Sequence, residues 1–288
     1  MSGDRLEVRK TYKLYVGGAF PRSESGRSYE VTDTKGRFLA NAAWASRKDA
    51  RDAVVAARGA FPKWSGMTAY NRGQVLYRVA EVMEGRHAQF VDEVESGEGL
   101  STSRARAAVD TAIDRWVWYA GWTDKLAAVV GGANPVAGPY FDFSLPEASG
   151  VIAVLAPQRS SLLGLVSVLA PVLAGGNTAV VVTSHDRPLP AVTLGEVLAT
   201  SDVPGGVVNL LTGAAEEIGP WLAEHADVDG IDLTGAGRRA AEFERSAADT
   251  VKRVLRAPAE EPDWAADPGL SRMAAFLETK TVWHPIGV

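Results

Sequence analysis

The chain of 288 residues contains no cysteine. For this chain that excludes disulfides, zinc–thiolate and iron–sulfur sites, and any mechanism built on a thiolate nucleophile. Histidine is scarce as well. His87, His185, His225 and His284 are scattered without metal-ligand spacing and read as structural or surface side chains. An excess of positive charge is also missing: 30 Lys plus Arg stand against 35 Asp plus Glu, a formal net charge of -5. This argues against nucleic acid or an anionic membrane as partner. The longest apolar stretch, Leu162 to Leu173, is interrupted by Ser167 and Pro171 and is too short to span a bilayer. The N-terminal MSGDRLEVRKTYKLYVGG is charged throughout and lacks a signal-peptide core, so the cytoplasm is the expected location. Ser160-Ser161 lacks the G-x-S-x-G context of a nucleophile elbow.

What is present has the composition of a globular protein, with 46% hydrophobic and 23% charged residues. The length allows one large domain or two ordinary ones. Lys13 to Val16 reads as a strand that runs into the Gly17-Gly18 turn, with Ser28 to Val31 as its hairpin partner. Ser46 and Asp49 have the form of a capping box, followed by Ala50, Ala53, Val54, Ala57 and Phe61 at helical spacing. A longer helix carries Val75, Leu76, Val79, Val82 and Met83 and resumes at Phe90, Val91 and Val94, with Gly97 and Gly99 ending it. A third begins near Ser101 and holds Ala105, Ala108, Val109, Ala112, Ile113 and Trp116 on one face. Glu93, Glu95 and Glu98 read as a solvated helix end, and Trp116, Trp118 and Trp122 as packing or interface residues.

From Ser149 the pattern changes. Val151–Ala156, Thr178–Val182, Val207–Leu211 and Gly230–Thr234 are strand candidates, with Val251–Leu255 a fifth. Helices fit at Ser161–Leu173, Leu189–Thr200, Glu216–His225 and Arg238–Ala248. Continuously apolar strands separated by single helices predict a parallel sheet covered on both faces. The expected fold class is α/β, a Rossmann-like doubly wound parallel sheet with N-terminal helices and a small β-element. Ala257 to Ser271 is rich in Pro, Ala and acidic residues and reads as a linker. Phe276 to Trp283 is a final β-prone run. Gly235-Ala-Gly-Arg-Arg-Ala240 fits G-x-G-x-x-G/A between a strand and a helix. It has two readings, a phosphate-binding turn supported by Arg238 and Arg239, or a tight turn with solvated arginines.

A set of motifs in order resembles the NAD(P)-dependent aldehyde dehydrogenase family. They are Lys13-Leu-Tyr-Val-Gly-Gly18, Ala60-Phe-Pro-Lys-Trp64, Trp118-Tyr-Ala-Gly-Trp-Thr-Asp-Lys-Leu126, Gly150-Val-Ile-Ala-Val154, Leu169-Ala-Pro-Val-Leu-Ala-Gly-Gly-Asn-Thr178, Val203-Pro-Gly-Gly-Val-Val-Asn209 and Leu233-Thr-Gly235. The resemblance covers about residues 10–250, and Leu277-Glu-Thr-Lys-Thr-Val-Trp283 resembles the last strand of the same family. It implies a cofactor-type domain over 1–256 that includes an oligomerisation hairpin at about 139–149. A linker at 257–271 then replaces the catalytic domain, and an oligomerisation strand follows at 272–288. It implies cofactor contacts at Pro157, Ser184, Gly213, Gly219, Thr234, Gly235 and Gly237.

The departures from the family pattern concern its chemistry. The nucleophilic Cys is absent. Where the family has the Glu of E-L-G-G, just after Leu255, this chain reads Arg256-Ala-Pro-Ala. The P-W-N-F-P run is Pro157-Gln-Arg-Ser-Ser161, which puts Arg159 in the place of the oxyanion Asn. The K-P-S-E run is Val182-Thr-Ser-His185, without either ribose anchor. No catalytic residue is expected in this chain, and NAD or NADP binding is expected to be weak or absent. The favoured expectation is a non-catalytic partner of a full-length aldehyde dehydrogenase, or of itself, through Tyr140–Ser149 and Phe276–Trp283. The alternatives are an NAD(P)-binding subunit that assists oxidation of an aldehyde to an acid, a nucleotide-binding sensor, and a decayed fragment.

Overall fold

The computed structural model describes residues 9–287; part of the charged N-terminal stretch, residues 1–8, lies outside them. The chain opens with a small sheet of β1 (Thr11–Tyr12), β2 (Ser28–Thr32) and β3 (Phe38–Ala43), in the order β1-β3-β2. Four helices follow: α1 (Arg47–Ser65), α2 (Ala69–Glu84), α3 (His87–Glu98) and α4 (Thr102–Trp122). The short α5 (Leu126–Val130), β4 (Gly132–Asn134) and β5 (Tyr140–Ala148) lead into the α/β part. This runs β6 (Val151–Leu155), α6 (Leu163–Ala174), β7 (Thr178–Val182), α7 (Leu189–Leu198), β8 (Val208–Leu211), α8 (Ala215–Glu224), β9 (Gly230–Asp232), α9 (Ala240–Ala248) and β10 (Arg253–Leu255). A single turn, α10 (Ser271–Ala274), and β11 (Leu277–Pro285) complete the chain.

The capping box forms as its spacing predicts: Ser46 accepts from the Asp49 N–H while the Asp49 carboxylate accepts from the Ser46 N–H. The Lys13–Val16 hairpin does not form. Val16 folds back on Ala19 around Gly17-Gly18, and Tyr15 pairs with Leu210 beside β8. The reason is close packing. A Cβ on Gly18 would lie 2.8 Å from the Gly205 backbone, so this turn seats on the chain before β8 instead of feeding a hairpin. The strand Ser28–Thr32 pairs with β3 instead. The helix expected to resume at Phe90 is two helices, because α2 stops at Gly85.

The central sheet is parallel throughout, in the order β10-β9-β6-β7-β8. Successive residues alternate between its faces. Ile152, Val154, Ala179 and Val181 point to the side packed by α6 and α7, and Val151, Ala153, Leu155, Val180 and Val182 to the side of α1 and α8. All 12 residues of α6 are buried, because α4 packs over it as a further layer. That position explains why α6 is apolar all round rather than amphipathic. β10 begins at Arg253; Val251 has φ +56 and cannot extend the strand upstream.

The second sheet has the order β11-β5-β4. β11 is antiparallel to β5 along nine consecutive pairs, from Leu277 opposite Ala148 to Pro285 opposite Tyr140. Residues 257–271 do not form a free tether. Trp264 packs against the main core, and its carbonyl and that of Ala266 accept hydrogen bonds from Arg115. Among the described residues no helix is long and apolar enough to cross a membrane.

Candidate functional site

In an open parallel sheet the ligand crevice lies outside the C-terminal strand ends, where the strand order reverses. Here that point falls between β6 and β9. The chain proceeds outward from β6 to β7 and β8, then returns to β9 on the other side of β6. A cleft of about 190 Å³ opens at this point. Pro157, Thr234, Gly235 and Gly237 line it, and so do Pro258, Glu261 and Pro262 from the segment after β10.

Local packing explains the glycines. A Cβ on Gly235 would stand 1.9 Å from the Ala156 carbonyl oxygen, and the Gly235 N–H donates to Leu155 O at 2.7 Å. Gly235 therefore lets the β9 turn close on the end of β6, and its N–H is already engaged. Gly237 has φ +56 and opens a single 3-10 turn, Gly237–Arg239, before α9. Thr234 caps the buried Asp232 carboxylate with its N–H and its hydroxyl. Arg272, arriving from α10, pairs with Asp232 at 2.8 Å and donates to Thr234 Oγ1. Burial pushes the Asp232 carboxyl up, against the pull of Arg272 and Thr234.

The other three predicted contacts lie outside the cleft. Ser184 is buried and donates to Gln158 O at 2.8 Å. Gly213, with φ +128, faces the backbone at Ala45 and the Trp44 ring. Gly219 lies in α8, where a Cβ would meet the Phe243 ring at 2.9 Å; Phe243 fills the space between α8 and α9. His185 stacks on Tyr29 with ring centroids 4.7 Å apart and meets Trp44 edge-on.

Two of the positive groups near the cleft, Arg159 and Arg239, are engaged within the chain. Arg159 pairs with Glu261 at 2.6 Å. Arg239 bonds both oxygens of Glu242 and the Glu216 carbonyl. Arg238 remains exposed. Among the described residues no group of three His, Cys, Asp or Glu could hold a metal.

The sequence model of the aldehyde dehydrogenase family matches residues 20–257. The chain belongs to this family. It is 30% identical to the D-glyceraldehyde dehydrogenase (NADP(+)) of Thermoplasma acidophilum, over 84% of this chain and 49% of that protein. It is 31% identical to the cytosolic 10-formyltetrahydrofolate dehydrogenase of Xenopus tropicalis, over 81% of this chain and 26% of that protein. Among solved structures, an NAD+ complex of the aldehyde dehydrogenase from Bacillus cereus aligns with a TM-score of 0.81 and 25% identity, over 85% of this chain and 50% of that one. The chain thus spans about half the length of the aldehyde dehydrogenases it matches. The family resemblance and the Rossmann-like α/β expectation both hold.

NAD(P) is the cofactor that membership in the family implies. The cleft of about 190 Å³ is smaller than the 300–1,000 Å³ typical of organic-ligand pockets, and Pro258, Glu261 and Pro262 wall one side of it. The first N–H of the glycine turn and the guanidinium groups of Arg159 and Arg239 already have partners. The space at these residues is thus small, and most of the polar groups around it are engaged within the chain.

Sequence reasoning missed the contribution of residues 257–272, which supply Glu261, Trp264 and Arg272. It also misread part of the acidic cluster. Glu93 accepts from Thr193 Oγ1 at 2.7 Å and Gln89 Nε2 at 3.0 Å, and burial pushes its carboxyl up to about 7. Glu98 accepts from the Ser161 N–H and hydroxyl, both at 2.7 Å, and burial raises its pKa too. The signal was available: Glu93 lies between Val91 and Val94, beside the buried stripe of its own helix.

Proposed function

We propose that this chain is a non-catalytic member of the aldehyde dehydrogenase family that works by association. Its partner is a full-length member of the family or a second copy of itself. The observation that carries this reading is β11. It pairs with β5 over nine residues, yet its outer edge has no strand against it among the described residues. Phe141 is 50% exposed and Trp283 58%, with Tyr140 and Ile286 exposed beside them. An unpaired edge next to exposed aromatic groups favours strand addition by another chain. The absent Cys, Arg159 in the oxyanion place and Arg256-Ala-Pro-Ala in the place of E-L-G-G support the non-catalytic part. The small cleft supports weak or absent NAD(P) binding.

The test is co-expression with a full-length aldehyde dehydrogenase and mass measurement of the intact complex. A deletion of residues 280–288 keeps Arg272 and the buried Met273, Phe276 and Leu277 and removes most of the edge. Loss of the complex in this variant is expected; an unchanged complex refutes the strand mechanism. Calorimetry with NAD and NADP separates this reading from an NAD(P)-binding subunit. Heat that saturates at micromolar nucleotide favours the latter.

A further inference from the structure

Two main-chain bonds at the ends of β11 fix which of its residues face outward. The Ser149 N–H donates to Phe276 O at 3.2 Å, and the Ile286 N–H donates to Pro139 O at 2.8 Å. Both lie on the register of the nine pairs between them, which runs without a bulge. Bonded and non-bonded pairs alternate along an antiparallel ladder. Glu278, Lys280, Val282 and His284 therefore direct their main-chain groups to β5. Thr279, Thr281 and Trp283 turn theirs to the outer edge, where no strand lies among the described residues.

The usual protections of an exposed edge are missing. The strand is long and regular, and its one proline, Pro285, is its last residue. Its one lysine, Lys280, is held by Glu147 of β5 at 3.1 Å. The outward residues are disposed evenly about Thr281, the midpoint of Leu277–Pro285. A two-fold axis at this point sets Thr281 against its own counterpart and Thr279 against Trp283, and overlaps two strands along their full length. At the positions between, Lys280 meets Val282 and Glu278 meets His284, so no like charges oppose each other. An axis at residue 280 would set Lys280 against itself. An axis at residue 282 would set Lys280 against His284 and shorten the overlap. Phe141, Phe143 and Leu145 share a sheet face with Val282 and are exposed or half-buried. An axis normal to the sheet brings this apolar face of both copies to the same side.

We infer, resting on the association proposed above, that two copies of this chain pair β11 with β11 antiparallel about Thr281. Their two three-stranded sheets then form one continuous sheet. Thr281 exchanges main-chain bonds with its counterpart, and Thr279 does so with Trp283 on both sides of the axis. Pro285, without an N–H, ends the ladder.

The chain has no cysteine, so an introduced one reports alone. In a dimer of Thr281→Cys the two substituted residues form one hydrogen-bonded pair, with Cα atoms about 5.5 Å apart and within disulfide reach. In Thr279→Cys they lie at least about 13 Å apart. Mild oxidation should give a covalent dimer with Thr281→Cys, and with a mixture of Thr279→Cys and Trp283→Cys, but not with Thr279→Cys alone. No covalent dimer of Thr281→Cys, or equal cross-linking of Thr279→Cys alone, overturns the pairing. Thr281→Pro removes an N–H that β5 does not use, so the chain keeps its fold. The dimer Kd, read by analytical ultracentrifugation, should rise by at least about thirtyfold in this variant, and an unchanged Kd overturns the pairing. Suppose the natural chain stays monomeric at about 100 μM while a full-length aldehyde dehydrogenase still takes it up. Self-pairing is then overturned and the association reading stands; absence of both complexes overturns both.

Discussion

At the cleft, Arg159, Arg239 and Arg272 are each held by a carboxylate of the same chain. On the β4–β5–β11 sheet, Phe141 and Trp283 stand half exposed beside Phe143 and Tyr140. The first region has turned its polar groups inward, and they satisfy one another. The second leaves apolar surface and a strand edge unsatisfied. In a fold shared with aldehyde dehydrogenases, polar groups at the strand ends here are engaged within the chain, while the edge of β11 is unpaired among the described residues. The packing role of Gly235 at the crevice does not depend on a ligand.

The comparison can be broken most forcefully at Arg272. Arg272→Met leaves the Asp232 carboxylate buried without its cation, and should lower stability by about 3–5 kcal/mol in urea denaturation. The double variant with Asp232→Asn should recover much of that loss, which would show that the cost comes from the stranded charge. Gly235→Ala comes next. Its Cβ would press on the Ala156 carbonyl, and about 2–3 kcal/mol should be lost. If Gly235→Ala were silent, the glycine would not be there for packing, and the phosphate-binding reading of the turn would regain ground.

Glu93 sharpens the inward-turned half. Its folded pKa of about 7 lies above the usual value, so the folded chain holds the proton more tightly than the unfolded one. Its contribution is therefore fully present at low pH and is lost as pH rises toward and through 7. Glu93→Gln keeps the acceptor for Thr193 and Gln89 and removes the charge. It should raise stability by about 1–2 kcal/mol at pH 8 and by little at pH 4, as read by thermal unfolding at both pH values. The smallest stability effect belongs to the other half of the comparison. Phe141→Ser with Trp283→Ser should change stability by no more than about 0.5 kcal/mol while abolishing association in gel filtration. A large stability loss would mean that these rings support the fold of the chain itself.

The parallel sheet was legible because its strands are buried on both faces, and runs such as Val151–Leu155 and Ala179–Val182 carry no polar residue. The capping box was legible because its two partners are three residues apart. The Lys13–Val16 hairpin misled because the Gly17-Gly18 turn answers to Gly205, nearly two hundred residues away, and no local pattern encodes that contact. Of the seven residues carried over from the family, Pro157, Thr234, Gly235 and Gly237 converge on one cleft. Ser184, Gly213 and Gly219 face other parts of the chain, since a motif fixes backbone shape more firmly than it fixes what fills the neighbouring space. Residues 257–272 were opaque for another reason. Their Pro and acidic content is that of a tether, and the groups that hold them down, Arg115, Arg159 and Asp232 among them, lie far away in sequence. Arg115 did leave a trace: it sits among Ala112, Trp116 and Tyr119 on the buried side of α4.

Asn177 has a mechanical consequence. It is fully buried just before β7, and it accepts from the Gly150 N–H at the start of β6 and donates to the Phe276 carbonyl at the start of β11. The Ser149 N–H donates to that same carbonyl. One amide side chain thus rivets the centre of the parallel sheet to the root of the projecting strand. Tension applied to β11 by a bound neighbour would pass directly into β6 and β7 instead of being absorbed by a hinge.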